Sequence, residues 1–408
     1  MSYYRKAVCP RCGRPFSGKE YEPCPDCREE VLVNYETVYD VKGAKLPEGG
    51  EEDGIFRYRD FFSLPENAPV LTIGEGDTPM RKLTRLGKEL GLSNLYMKDE
   101  SKNPTGSHKD RMCALMVSNA IAKGAPGMVI ASTGNQGAAV AAYCQVAGLP
   151  CIVISSKDVQ PTARLLMQVY GAQVVIVPTA ADRLVLMKQI MDEMGYEPAS
   201  GIYSPPIGSN FRAVDAYKSI AFEVYRQMKG VPDWFIIPGS YGDTMYGTYK
   251  GMVDLKDMGY IDELPKMVVA DVYGATKKSV ESCEDRPVSV PVYPSIQTAI
   301  AVGTTAYHTM KALRACGGTA EASSDAEALK MQELLVRTEG VFAEASSCAS
   351  LVALKKLVAD GKIGNDEKVV VLISSLGIKV PEVVKDRLPA VPEIEPSLDA
   401  FRKAVDAK

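Results

Sequence analysis

The chain has 408 residues, of which 46% are hydrophobic and 24% charged, with a net charge of −4. That length suggests two to three domains, the composition is ordinary for a globular enzyme, and the charge gives no support for nonspecific nucleic-acid binding. No apolar run approaches the roughly 20 residues of a membrane span, and no apolar segment follows the N-terminal Met1-Ser2-Tyr3-Tyr4-Arg5-Lys6 as it would in a secretory signal.

The first pattern along the chain is a pair of CxxC knuckles, Cys9-Pro10-Arg11-Cys12 and Cys24-Pro25-Asp26-Cys27. Two such knuckles can present four thiolates tetrahedrally to one zinc ion. The residues between them are polar and too few to build a core, so a metal would supply this segment's folding energy. The alternative is a ribbon whose cysteines hold no metal. Six further cysteines, of ten in all, are scattered singly. Such usage fits free thiols in a reducing compartment, and a cytoplasmic location is expected. Two histidines supply a His-rich metal site or a Ser-His-Asp triad poorly.

A turn cluster, Gly74 to Met80, precedes a strand at Leu95-Tyr96-Met97-Lys98. Then comes Asn103-Pro104-Thr105-Gly106-Ser107-His108-Lys109-Asp110-Arg111, leading into a helical run at Met112 to Val117. Lys109 thus sits in the first turn of a helix, behind a turn of Pro and Gly. Burial and the helix N-terminus both disfavour its charge, which raises the fraction of free amine that a Schiff base requires. The plainer alternative is a solvated lysine at a helix start.

From Met128 the pattern becomes strand, loop, helix, repeatedly. Strands are expected at Val129–Ala131, Cys151–Ile154, Gln173–Val177, Trp234–Ile237, Met267–Ala270 and Val369–Ile373. Helices are expected at Ala138–Ala147 and Thr162–Tyr170. Short apolar runs separated by helices imply parallel strands covered on both faces, an α/β architecture in two sheets. In such sheets ligands gather at the carboxyl ends of the strands. Three loops there carry polar groups. Ser132-Thr133-Gly134-Asn135-Gln136 can receive a carboxylate on its amides and hydroxyls, or simply cap a helix. Pro238-Gly239-Ser240-Tyr241-Gly242-Asp243-Thr244 can wrap a phosphate with backbone N–H groups. Ile373-Ser374-Ser375-Leu376-Gly377 ends the last strand.

The Asn103–Arg111 stretch resembles the Pro-Thr-Gly-Ser-Phe-Lys-Asp-Arg motif of threonine synthases, in the fold-type II family of pyridoxal-phosphate (PLP) enzymes. His108 replaces the usual Phe. Gly74–Met80, Ser132–Gln136, Pro238–Thr244, Gln297-Thr298-Ala299-Ile300, Gly340–Ser347 and Ile373–Lys379 resemble further segments of that family, in its order. The resemblance implies two three-layer α/β/α domains behind a small zinc ribbon. Their expected extents are 1–35 for the ribbon, 36–94 with 207–390 for a large PLP-binding domain, 95–206 for a small domain, and 391–408 for a tail. It implies PLP on Lys109, with Asn135 at the cofactor's 3′ oxygen. Gly239, Ser240, Tyr241, Gly242, Asp243 and Thr244 would hold its phosphate, with Ser374 at its ring nitrogen. Ser132, Thr133 and Gln136 would meet the substrate carboxylate. Arg212 stands one residue from the family's substrate-phosphate arginine and is the candidate for that anion.

The implied activity is a PLP-dependent lyase that eliminates or replaces a group at Cβ or Cγ of an amino acid, with O-phosphohomoserine the leading substrate. Another fold-type II activity (an amino-acid ammonia-lyase or a β-replacement synthase) and a non-catalytic PLP or ribbon binding protein stay open. A homodimer with a small-molecule amino-acid substrate, no nucleic acid and no membrane completes the expectation.

Overall fold

The computed structural model describes residues 2–48, 54–204 and 207–406. The N-terminal strands β1 (Tyr4–Val8) and β2 (Glu36–Tyr39) form an antiparallel ribbon. The chain then runs through β3 (Met80–Lys82), helix α1 (Thr84–Leu90) and β4 (Asn94–Asp99) to α2 (Lys109–Ala122). Four strands follow with their helices: β5 (Met128–Ala131), α3 (Asn135–Val146), β6 (Cys151–Ser156), α4 (Pro161–Val169), β7 (Gln173–Val177), α5 (Ala180–Met194) and β8 (Glu197–Pro198). These strands form a parallel sheet in the order β7-β6-β5-β8.

The remaining elements are α6 (Lys218–Met228), β9 (Trp234–Pro238), α7 (Asp243–Asp257), β10 (Lys266–Asp271), α8 (Ala275–Glu281), α9 (Tyr307–Ala315), β11 (Thr319–Ala322), α10 (Asp325–Glu339), α11 (Ala345–Ala359), β12 (Lys368–Ile373) and α12 (Leu398–Asp406). A second sheet has the order β11-β10-β9-β12-β4-β3, parallel except for β3. Its central strands are buried on both faces: Phe235, Ile236, Ile237 and Val369 to Ile373 expose no surface. That is why they read as unbroken apolar runs rather than as alternating ones.

Strand β4 pairs with β12, from Asn94↔Lys368 to Asp99↔Ile373. This strand, expected at the start of the small domain, pairs within the larger sheet. The expected tail after 391 carries α12, whose Leu398 and Phe401 are exposed.

One polar cluster lies inside this apolar frame. Arg111, on α2, forks onto Glu100 (Nε 2.7 Å, Nη2 2.8 Å) and onto Glu223 of α6 (Nη1 2.5 Å, Nη2 2.7 Å). Lys98 of β4 donates to Glu223 at 2.7 Å and to the Thr78 carbonyl at 2.6 Å. All four charged side chains are fully or almost fully buried, so two cations balance two anions where an unpaired charge would be costly. Burial pushes the Glu223 carboxyl up, but the Arg111 and Lys98 charges outweigh it and bring it down to about 2. This cluster fixes the start of α2, and with it Lys109, against the larger sheet.

Candidate active site

Lys109 is the first residue of α2. The turn before it depends on Gly106, at φ 79°, where a Cβ would stand 3.3 Å from the Lys379 side chain. Asp110 holds the same turn by accepting from the Thr105 N–H at 2.7 Å and its hydroxyl at 2.6 Å. The half-buried Lys109 amine has no hydrogen-bond partner among the described residues. It opens on a cavity of about 560 Å³, within the usual range for a small-molecule site. Burial pulls its pKa below the usual lysine value, with the charge of Asp243 opposing. A free amine facing a cavity is the form that attacks a carbonyl carbon.

His108 lines the same cavity. Its Nδ1 lies 3.0 Å from the Ser374 carbonyl oxygen, which can only accept, so Nδ1 carries the proton and Nε2 is left as an acceptor. Burial, reinforced by the Lys109 charge, lowers the His108 pKa to about 3, so the ring is neutral.

The loop from Ser132 to Gln136 sits between β5 and α3, and every one of its residues lines the cavity. Helix α3 begins three residues earlier than the sequence pattern suggested, at Asn135. Its alanine-rich body conceals a polar first turn. The Ser132 hydroxyl accepts from the Gly134 and Gly137 N–H groups at 3.3 and 3.1 Å, and the Gln136 amide donates to the Ala199 carbonyl at 2.6 Å. These two side chains shape the loop. Asn135 donates to Glu344 at 2.8 Å and accepts from the Ser375 hydroxyl at 3.3 Å. Glu344 was visible in sequence only within a segment resembling the family, and nothing there marked it as the carboxylate that orients Asn135.

The loop Gly239–Thr244 follows β9 and opens α7, and all six residues line the cavity. Gly242 has φ 93°, and a Cβ there would lie 2.3 Å from Thr309. A Cβ on Gly239 would lie 2.6 Å from Val269. The bare backbone and the unsatisfied N–H groups of the helix start suit a phosphate. Asp243 would repel that anion, but its carboxylate is turned to other partners. Its Oδ1 is 3.3 Å from His308 Nε2, and its Oδ2 accepts from Ser209 N–H at 3.1 Å and hydroxyl at 2.8 Å. Burial pushes the Asp243 carboxyl up, and these partners together with Lys109 outweigh it. Ser374 also lines the cavity, its hydroxyl 2.9 Å from that of Ser347. This pair of neutral hydroxyls supplies no carboxylate to a ring nitrogen. The set therefore fits PLP: an amine with no hydrogen-bond partner among the described residues, a glycine-lined loop at a helix start, and an amide and a hydroxyl lining the same cavity.

Arg212 is not in this wall. Its Nε pairs with Glu20 at 2.7 Å, and its guanidinium lies over the rings of Tyr4, Phe16 and Phe211, 5.2, 5.8 and 5.1 Å from their centroids. The expected substrate contact is corrected: Arg212 fastens the N-terminal segment to the body. Ile207 to Arg212 is described, while Pro205 and Pro206 of the same stretch lie outside the described residues.

The four ribbon cysteines come together. Their sulfurs all lie within 4.8 Å of one another, with Cys9–Cys27 at 3.8 Å and Cys12–Cys24 at 3.7 Å. A tetrahedron of Zn–S bonds near 2.3 Å has edges of about 3.8 Å, so the cluster has the dimensions of a four-cysteine zinc site. The segment that carries these cysteines reaches the cavity wall. Asn34 donates to the Ser209 carbonyl at 2.8 Å, and Ser209 holds Asp243 of the cavity wall. Tyr35 and Phe16 pack on Phe211.

The family model described as "Pyridoxal-phosphate dependent enzyme" matches residues 71–375. The threonine synthase of Methanocaldococcus jannaschii is 34% identical over 92% of this chain and 93% of its own length. That of Methanosarcina acetivorans is 32% identical over 98% of each. Among solved structures, the processed threonine deaminase isoform 2 of Solanum lycopersicum superposes with TM-score 0.65 at 19% identity, covering 85% of this chain and 98% of that one. Maize serine racemase gives TM-score 0.63 at 18% identity, covering 76% and 91%. These two likenesses establish the fold. The family match spans more than half the chain, and a relative above 30% identity aligns along nearly all of it, so this protein belongs to the pyridoxal-phosphate-dependent enzymes.

Proposed function

We propose that the chain is a threonine synthase-like PLP-dependent lyase that converts O-phosphohomoserine and water to threonine and phosphate. The observation that carries this reading is the desolvated, unpartnered Lys109 amine facing Asn135 and the Gly239–Thr244 loop across one cavity. The threonine synthases aligned over most of the chain support the same activity.

Lys109 would hold the cofactor as a Schiff base. The backbone of Gly239 to Thr244 would bind its phosphate, and Asn135, oriented by Glu344 and Ser375, would meet its 3′ oxygen. When bound, PLP supplies an electron sink for charge developing at the substrate's α-carbon. Lys109 would move the proton at the substrate's α-carbon, a task its lowered pKa suits. Ser374, hydrogen-bonded to Ser347, would offer the ring nitrogen no anionic partner, which favours elimination and replacement over transamination. The substrate carboxylate would meet the start of α3 at Thr133 and its neighbours. The Cys9, Cys12, Cys24 and Cys27 cluster would hold zinc as a structural element, and the enzyme would act as a homodimer.

The test is turnover. Purified holoenzyme given O-phospho-L-homoserine should release equal amounts of phosphate and threonine. Deamination of threonine or serine without action on the phosphate ester would overturn this activity.

A further inference from the structure

The cavity wall includes three cationic side chains: Lys109, Lys379 and Arg183. Lys379 is buried and donates to the Thr105 carbonyl at 2.7 Å, near the charges of Asp110 and Glu344. Lys109 is committed to the cofactor under the function proposed above. Arg183 is not committed to the cofactor, and among the described residues it has no carboxylate in ion-pair contact.

Arg183 is the fourth residue of α5, at the small-sheet side of the cavity. Its near neighbour in sequence, Asp182, spends its carboxylate on the helix cap. One Asp182 oxygen accepts from the Thr179 N–H at 3.0 Å and hydroxyl at 2.7 Å. Arg183 itself makes one long contact, Nε to the Ala180 carbonyl at 3.4 Å, and among the described residues no carboxylate lies within ion-pair distance of it. Asp158 and Tyr241 are the groups whose charge favours its ionised form, while burial opposes it. A half-buried guanidinium with a fork of free donors on a cavity wall is a receptor for a planar or tetrahedral oxyanion. The displaced Arg212 leaves that function unfilled at the position the sequence indicated.

We infer that Arg183 is the specificity residue of this site: it binds an anionic phosphate-ester group on the side chain of the amino-acid substrate. The inference rests on the reading of the cavity as an amino-acid site beside PLP, and it holds for any phosphorylated amino acid of suitable length.

The test uses the holoenzyme, with the absorbance band of the bound cofactor as readout. Wild type, Arg183→Gln and Arg183→Lys are titrated with O-phospho-L-homoserine and O-phospho-L-serine, and with their unphosphorylated forms, L-homoserine and L-serine. Wild type should bind one phosphorylated form roughly 10- to 100-fold more tightly than its parent alcohol, the range expected of a charge-assisted contact. Arg183→Gln should erase that ratio, and Arg183→Lys should keep part of it. Cofactor affinity should be the same in all three proteins. A wild type that prefers phosphoserine would overturn phosphohomoserine as the substrate and leave the role of Arg183 standing. A wild type indifferent to the phosphate would overturn the role, as would an Arg183→Gln protein that keeps the preference. Loss of PLP from both variants would overturn it too, since the guanidinium would then serve the cofactor.

Discussion

Removing Arg111 should unsettle both the fold and the lysine two residues before it. In Arg111→Ala, Glu223 keeps its 2.7 Å contact to Lys98. Glu100 keeps the Thr78 hydroxyl at 2.6 Å and the Asn103 amide at 2.9 Å, but loses both of its bonds to a cation. The change therefore leaves about one uncompensated buried carboxylate, which costs roughly 3–5 kcal/mol. That is a large share of a typical domain stability of about 5–15 kcal/mol. Arg111→Lys, which keeps the charge but not the fork, should recover part of the loss. The pH dependence follows from the folded-state shifts. In the native protein Glu100 and Glu223 both titrate below the ordinary glutamate value, because the cationic partners outweigh burial. Their stabilisation is fully present above that ordinary value and is lost as pH falls through the folded ones. Without Arg111, burial raises the Glu100 pKa, and acidification relieves the penalty by protonating it. The gap between wild type and variant should therefore narrow from about pH 7.5 to about pH 4.5. Urea unfolding followed by Trp234, the single tryptophan, reports the larger sheet directly. A difference below about 1 kcal/mol, the level of an exposed pair, or one that stays flat across that pH range, would refute the reasoning.

Two further perturbations follow from the site. Glu344→Gln keeps the shape but removes the charge that holds Asn135, and should lower kcat by about 10- to 100-fold while the protein still binds PLP; unchanged kcat would place the Asn135 contact outside the chemistry. Cys9→Ser with Cys24→Ser should remove one zinc per chain by metal analysis and loosen residues 207–212 in amide exchange, with activity down roughly 10- to 100-fold through misplacement of the Ser209–Asp243 contact; equal zinc in variant and wild type would sink the metal assignment.

The central strands β6, β9, β10 and β12 were legible because double-sided burial makes them continuous apolar runs, and the Gly-rich loops because glycine marks close backbone approach; the four-residue edge strand β11 (Thr319–Ala322) was not read. Lys109 was legible for the same reason, since a helix start behind a Pro-Gly turn has a local signature. The short edge strands β3 and β8 carry too few residues for any period to show. Arg212 was misread because sequence register says nothing about side-chain direction, and its aromatic neighbours Tyr4 and Phe16 come from a segment about 200 residues away. Arg183 was passed over for the opposite reason. It sits in an otherwise amphipathic helix with an acidic neighbour, a pattern that reads as a solvated face, and only the Thr179 cap shows that Asp182 is already engaged. Glu344 depends on a contact across 209 residues, which no local pattern carries.

The central claim is that Lys109 carries the cofactor. Reduction of the purified protein with borohydride, followed by proteolysis and peptide mass analysis, tests it in one step. The account predicts a pyridoxyl adduct on Lys109 within the peptide spanning Ser107 to Arg111, in near-stoichiometric yield, and none in Lys109→Ala. An adduct on Lys379 or any other lysine, or a protein that binds PLP without forming a reducible bond, would contradict it.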